Sequence, residues 1–96
     1  MKVFSRDKLI KFSKRHANSK AALDAWFNEV SRSDCAWETT HDIKDRYPSA
    51  DFLADNRVIF NIKGNHYRLV VKVRYQNDIV LIEWVGTHAE YDKKSF

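Results

Sequence analysis

Apolar and polar residues alternate through the second half of the chain, which is the pattern of half-buried β-strands. From Arg57 to Thr87 the chain reads RVIFNIKGNHYRLVVKVRYQNDIVLIEWVGT, a segment rich in β-branched and aromatic residues. Gly64 can adopt a positive φ at no steric cost, so Lys63–His66 is predicted to form a two-residue type II′ turn. Asn77-Asp78 is expected to make a second tight turn. The pattern therefore predicts two consecutive β-hairpins.

The first turn determines which side chains share a face of the sheet. It places Asn61 opposite Arg68 and Arg57 opposite Lys72. One face carries the apolar residues expected to form the core: Val58, Phe60, Ile62, Tyr67, Leu69, Val71 and Val73. The other face carries a mixed cationic set that is expected to be exposed to solvent: Arg57, Ile59, Asn61, Lys63, His66, Arg68, Val70 and Lys72.

The second turn extends this register to the last strand. With Asn77-Asp78 at the turn, Lys72 lies opposite Glu83, and a cross-strand ion pair is expected there. Trp84 is then predicted to join the core beside Val71.

Basic side chains meet at one end of the predicted sheet. Lys63, His66 and Arg68 come from the first hairpin, and Arg68 is placed opposite Thr87, next to His88. A cluster of this kind at the end of a small sheet favours a phosphate-bearing ligand.

A capping signal follows the last strand at this same end. Thr87 and Glu90 have the spacing of a capping box, which predicts a short C-terminal helix with Tyr91 in its first turn. Free N–H groups at a helix start favour anions, so the cap and the basic cluster point to one phosphate site.

The first half of the chain has the periodicity of helices that cover the core face. Lys2–Phe4 can form a short strand, and Ser5 is a candidate N-cap for a helix from about Arg6. A second helix from about Ser19 carries a stripe at i, i+3, i+4 and i+7 spacing: Leu23, Trp26, Phe27 and Val30.

A third, short helix is predicted between these elements and the sheet. Thr39 and Asp42 resemble a capping box, and the helix should continue through Ile43 and Tyr47 until Pro48 ends it. Residues 49–56 are expected to form a loop.

Composition favours one folded unit with an anionic or acidic partner. The 96 residues are 44% hydrophobic, which predicts a single packed domain spanning residues 1–96. With 17 Lys and Arg against 13 Asp and Glu, the net charge is +4.

The single cysteine and the spacing of the acidic residues limit the kinds of site that the chain is expected to contain. Cys35 is the only cysteine, so an intrachain disulfide framework and a thiolate metal cluster are excluded and a reducing cytoplasm is expected. No signal peptide or membrane span is expected. No acidic cluster has two-metal spacing, and no cofactor is expected.

The motifs NRVIFNIKGNHYRLVVKV and VGTHAEYDK resemble the HigB toxin family of type II toxin–antitoxin modules, within the RelE-like superfamily. The resemblance extends over essentially the whole chain, including the helical start and the YPSADF segment. It implies a RelE-like α+β fold in which N-terminal helices pack on a small antiparallel sheet.

The resemblance also implies an activity and partners. The expected activity is that of an endoribonuclease which cleaves mRNA, usually on the ribosome, and which a HigA-type helix-turn-helix antitoxin neutralises. Superfamily members carry an arginine in the third strand, which Arg68 matches, and a C-terminal arginine and tyrosine. Tyr91 matches the tyrosine, whereas His88 stands where the arginine is expected.

Metal-independent RNA cleavage suits these residue types. The ribose 2′-OH attacks the adjacent phosphorus, which requires a base, an acid for the leaving oxygen and cations for the phosphorane. Arg68 is the candidate phosphate clamp, and Arg57 and Lys63 are secondary phosphate-binding candidates. His66 and His88 are candidate proton carriers. Tyr91 is expected either to stack on a base or to act as acid or base.

Two other interpretations remain open. The same basic face would serve a non-catalytic RNA-binding domain, which would bind RNA but never cut it. It would also serve an interaction subunit with an acidic protein partner.

Overall fold

A five-stranded sheet forms the centre of the structure, a computed structural model that describes residues 1–96. The strands are β1 (Lys2–Phe4), β2 (Asp51–Leu53), β3 (Arg57–Ile62), β4 (Tyr67–Arg74) and β5 (Ile79–Thr87). The helices are α1 (Asp7–Arg15), α2 (Lys20–Val30), α3 (Thr40–Arg46) and α4 (His88–Asp92). The strand order is β1-β5-β4-β3-β2, and only β1 runs parallel to its neighbour. The predicted α+β fold is confirmed.

The predicted core face is also confirmed. All its members are buried: Val58, Phe60, Ile62, Tyr67, Leu69, Val71 and Val73. They belong to one apolar cluster with the buried residues of α1 and α2: Leu9, Phe12, Leu23, Trp26 and Val30. Phe27 is the exception in the predicted stripe, because it is only partly buried and the Arg6 guanidinium lies 4.0 Å from its ring centroid. Full burial of one such side chain contributes roughly 1.5–3 kcal/mol, so this layer dominates the stability.

The first hairpin has the predicted register. Asn61 pairs with Arg68 and Arg57 pairs with Lys72. Gly64 has a φ of 64°, as the turn requires, but Lys63 is also left-handed, with a φ of 53°. The turn chemistry of Gly64 was therefore sufficient to align both strands.

The second turn is not the predicted two-residue turn. Tyr75–Asn77 forms a 3-10 turn, and Asp78 closes it in the left-handed conformation with a φ of 55°. Arg74 consequently pairs with Ile79. The strands therefore start in a different register from the expected one.

A β-bulge changes the register again within β5. Lys72 pairs with Leu81, and Val70 pairs with Trp84, so that Glu83 is the extra residue of the bulge. The predicted Lys72–Glu83 opposition is wrong.

The predicted core position of Trp84 is wrong for the same reason. Trp84 shares the cationic face with Val70 and is only partly buried. Arg68 lies opposite Gly86, one residue before the expected Thr87.

The cationic face is less exposed than predicted. Only Lys63 and His66 are exposed, whereas Ile59 and Val70 are 2% and 0% exposed. These two lie in a row that crosses the sheet from Asp51 to Trp84.

Two local expectations for the connecting segments are corrected. Ser5 does not cap α1 with its side chain, because its own φ is 70° and the helix begins two residues later, at Asp7. Residues 49–56 are not all loop, since β2 pairs with the outer edge of β3. The α3 helix and its capping box are confirmed, with the Thr39 N–H donating to Asp42 Oδ2 at 3.3 Å, but the helix ends at Arg46, one residue before the predicted Tyr47. No helix has both the length and the apolarity needed to cross a membrane.

Candidate functional site

Arg68 is the centre of a compact group of polar side chains at one end of the sheet. Its Nη2 lies 2.8 Å from Nε2 of His88, and its Nη1 lies 3.9 Å from Oδ2 of Asp51. The ring centroid of Tyr91 is 4.9 Å from Cζ of Arg68. The structure thus brings together Arg68, His88 and Tyr91, and it adds Asp51, which has no motif to mark it.

The contact with Arg68 determines the tautomer of His88. A guanidinium can only donate hydrogen bonds, so Nε2 of His88 is the acceptor and the ring hydrogen is on Nδ1. That Nδ1 lies 3.3 Å from Oδ2 of Asp92, one helical turn further along α4. His88 therefore has a carboxylate on one side and a cation on the other, and these two contacts fix the orientation of its imidazole.

The predicted capping box holds α4 in this position. The Thr87 side chain accepts from the Glu90 N–H at 3.1 Å, and the Thr87 N–H donates to Glu90 Oε1 at 2.8 Å. The hydrogen bond from the Thr87 backbone lowers the pKa of Glu90. The His88 N–H also donates to the carbonyl of His66 at 3.1 Å, which ties α4 to the first hairpin.

Burial adds to the cost of holding Arg68 in place. The Arg68 side chain is 17% exposed, and its Nε–H is buried without a partner. Oδ1 of Asn61, its neighbour on β3, is also buried and unpartnered. Each unsatisfied group of this kind lowers the free energy of unfolding by about 1–3 kcal/mol. A contribution to stability therefore does not explain why an arginine occupies this position.

An aromatic cluster flanks the guanidinium. The ring centroids of Trp84, Tyr91 and Phe96 are 5.7–6.1 Å apart, and Tyr91 and Phe96 are stacked. The indole of Trp84 lies across Gly86, where an added Cβ would be only 2.3 Å from Cζ2 of the ring. These flat rings are surfaces on which nucleobases stack.

Sequence reasoning missed Trp84 because the bulge reversed its face. The available signal was Gly86, since an isolated glycine in a strand often marks a close approach by another group. Phe96 had no signal of its own.

The secondary phosphate-binding candidates are not in contact with Arg68. Arg57 is paired with a carboxylate, since its Nε lies 2.7 Å from Glu83 Oε1, and this hydrogen bond raises the pKa of Arg57. Lys63 and His66 are exposed in the turn. His66 approaches the site through its backbone carbonyl rather than its ring.

The chain contains no group of three or more His, Cys, Asp or Glu side chains arranged to hold a metal ion. The functional groups at this end of the sheet are the guanidinium of Arg68, the imidazole of His88, the phenol of Tyr91 and the flat aromatic surfaces beside them.

Comparison with known families matches most of the chain to a family of toxins. Residues 19–94 match the family model HigB_toxin, described as the RelE-like toxic component of a toxin-antitoxin system. No curated protein gives a match to the chain. The matched range contains α2, α3, α4 and the strands β2 to β5, and therefore all the residues of the site described above except Phe96.

Proposed function

The chain belongs to the HigB toxin family, the RelE-like toxic component of a toxin–antitoxin system, and we propose that it is an endoribonuclease. Its substrate is mRNA on the translating ribosome, so that cleavage stops translation until a HigA-type helix-turn-helix antitoxin binds the toxin. It would act where mRNA is translated, in the cytoplasm. The observation that carries the proposal is the 2.8 Å contact between the Arg68 guanidinium and His88 Nε2.

The first step is phosphate binding by Arg68. The planar fork of an arginine matches two phosphate oxygens and cannot lose its charge. When the scissile phosphate accepts from Nη2, that N–H no longer donates to His88. The Nε2 lone pair of His88 then becomes free at the moment the substrate arrives.

His88 is the proposed general base. Its Nε2 takes the proton of the ribose 2′-OH, and the 2′-oxygen forms a bond to phosphorus while the bond to the 5′-oxygen breaks. The Arg68 charge stabilises the phosphorane, and the products are a 2′,3′-cyclic phosphate and a 5′-OH. Asp92 is a positioning residue, because it lies 3.3 Å from His88 Nδ1 and stabilises the imidazolium that forms.

Tyr91 is the proposed acid for the leaving 5′-oxygen. Its ring lies against the guanidinium that binds the phosphate, with 4.9 Å between Cζ of Arg68 and the ring centroid. Trp84 beside it offers a stacking surface for a base of the cleaved strand.

Product analysis on programmed ribosomes tests the proposal. Wild-type protein is expected to cut mRNA in the presence of a metal chelator and to leave a 2′,3′-cyclic phosphate. Arg68→Ala should slow cutting by about 10²- to 10³-fold, because a preorganised charge at the phosphorane is lost. Lys14→Ala, which removes an exposed cation from α1, is the control.

The same assay distinguishes the nuclease from a non-catalytic RNA-binding module. The rings of Trp84 and Tyr91 are tilted against each other, with Tyr91 against the Arg68 guanidinium, and they would hold single-stranded RNA without cutting it. If wild-type protein binds RNA through Arg68 and mRNA stays intact on ribosomes, the nuclease proposal fails and the binding module replaces it.

A further inference from the structure

The cationic face of the sheet has a second concave region at its other end. A groove of about 510 Å³ lies where β1, β5 and β4 run side by side. It is lined by Phe4, Ser5, Lys72, Arg74, Ile79, Leu81 and Glu83. None of these residues belongs to the group around Arg68.

The register explains why apolar side chains meet in this groove. Phe4 pairs with Leu81 across the parallel β1–β5 ladder, and Leu81 pairs with Lys72 across β5 and β4. Paired residues of neighbouring strands lie on the same face of a sheet. Phe4 and Leu81 are 50% and 38% exposed, and Ile79 beside them is partly exposed. Adjacent exposed apolar side chains of this kind mark interaction sites more often than single ones do.

The charge of the groove is positive. Lys72 and Arg74 form no ion pair with any carboxylate of the chain, whereas the one acid in the lining, Glu83, is paired with Arg57 at 2.7 Å. Lys2 lies in the same row as Ile79 and Arg74 and adds a further cation.

We propose that this groove binds an acidic, amphipathic segment of the antitoxin. Apolar side chains of that segment would cover Phe4, Ile79 and Leu81, and its carboxylates would pair with Lys72 and Arg74. The proposal rests on the toxin–antitoxin role of the family and does not depend on the nuclease chemistry of Arg68.

The lining favours a protein over RNA as the occupant. A nucleotide combines a phosphate with a flat base. The Arg68 end supplies a guanidinium for the phosphate and aromatic rings for the base. The groove supplies only one aromatic ring, Phe4, together with aliphatic Ile79 and Leu81. Aliphatic surface is stabilised by burial against apolar side chains, which a peptide offers and an RNA backbone does not.

Titration of the purified toxin with its cognate antitoxin tests the proposal. The double variant Lys72→Glu/Arg74→Glu should weaken binding by at least about thirtyfold, because like charges would then face the acidic segment. Lys11→Glu/Lys14→Glu, which reverses two exposed cations on α1, is the matched control and should bind within about threefold of wild type. Phe4→Ser tests the apolar half without changing the charge.

Further measurements distinguish a failure of the antitoxin proposal from a failure of the nuclease proposal. Thermal unfolding confirms that each variant is folded, and Arg68→Ala should bind the antitoxin normally whether or not the protein is a nuclease. Wild-type affinity for the antitoxin by both the double variant and Phe4→Ser would overturn the proposal. So would a loss of RNA binding by the double variant with normal antitoxin binding, because the groove would then be an RNA surface.

Discussion

The two ends of the cationic sheet face have the same sign of charge and different neighbours. At the α4 end, the guanidinium of Arg68 lies beside the imidazole of His88 and the rings of Tyr91 and Trp84. At the β1 end, Lys72 and Arg74 lie beside the apolar side chains of Phe4, Ile79 and Leu81. Positive charge alone therefore does not identify a ligand. Flat, proton-carrying neighbours favour a nucleotide, and aliphatic neighbours favour a peptide.

A single extra residue separates the two ends. Glu83 is the bulged residue of β5, and it pairs with Arg57 between Lys72 and the Arg68 group. Before the bulge, Leu81 points to the same face as Lys72; after it, Trp84 points to the same face as Arg68. Without the bulge, one of these two side chains would be on the core face.

The largest effect is expected from removing His88, the proposed general base at the α4 end. His88→Gln keeps a hydrogen-bonding side chain but has no imidazole, and it should slow mRNA cleavage by about 10²- to 10⁴-fold. Single-turnover cleavage on programmed ribosomes measures this. Antitoxin affinity should not change, and an unchanged cleavage rate would remove His88 from the mechanism.

A smaller effect on the cleavage rate is expected from substituting Asp92, the carboxylate beside His88. Asp92→Asn should lower the rate and alter its pH dependence, because the imidazolium of His88 loses the carboxylate 3.3 Å from its Nδ1. Asp92→Glu should restore part of both. A uniform fall in rate with an unaltered pH profile would mean that Asp92 only supports the helix.

The next effect concerns the aromatic cluster. Gly86→Ala would place a methyl group 2.3 Å from the Trp84 indole, which must then move. We expect a loss of about 1–3 kcal/mol in unfolding free energy together with weaker RNA binding. Urea unfolding and RNA titration measure the two quantities. Normal RNA binding by the variant would show that the position of Trp84 does not matter for the site.

The first hairpin and the second differ in how far the sequence could predict them. Alternation from Val58 to Val73 and a glycine at the turn were sufficient for the β3–β4 register, and so for the positions of Arg68 and Asn61. In β5, alternation gave no sign of the bulge, and the left-handed Asp78 lengthened the turn. A shift of one residue reverses a side chain's face, which is why Trp84 was misplaced.

The residues of the site that lie in local sequence motifs could be predicted. The capping box at Thr87 located α4, and with it His88 and Tyr91. Asp51 and Phe96 reach the Arg68 group only through tertiary packing of β2 and of the segment after α4, which no local pattern encodes.

The smallest effect is expected from the α4 cap. The hydrogen bond from Thr87 lowers the folded-state pKa of Glu90. Its contribution to the free energy of unfolding is therefore fully present above the usual pKa of 4.5, and it is lost as pH falls through the lower folded-state pKa. Glu90 is exposed, so the contribution is modest. The protection of the α4 amides against hydrogen exchange, measured relative to the intrinsic rate at each pH, should fall in acid for wild type, and Glu90→Gln should remove most of that pH dependence. Identical acid profiles for the two proteins would contradict this role.

The division of the sheet face into two functional ends is tested most directly by mRNA cleavage at the lowest antitoxin concentration that silences wild type. Lys72→Glu/Arg74→Glu should continue to cut at that concentration, because its groove binds the antitoxin at least about thirtyfold more weakly while Arg68 and His88 are intact. Arg68→Ala should fail to cut with or without antitoxin. Silencing of the double variant at the same antitoxin concentration as wild type would contradict the account.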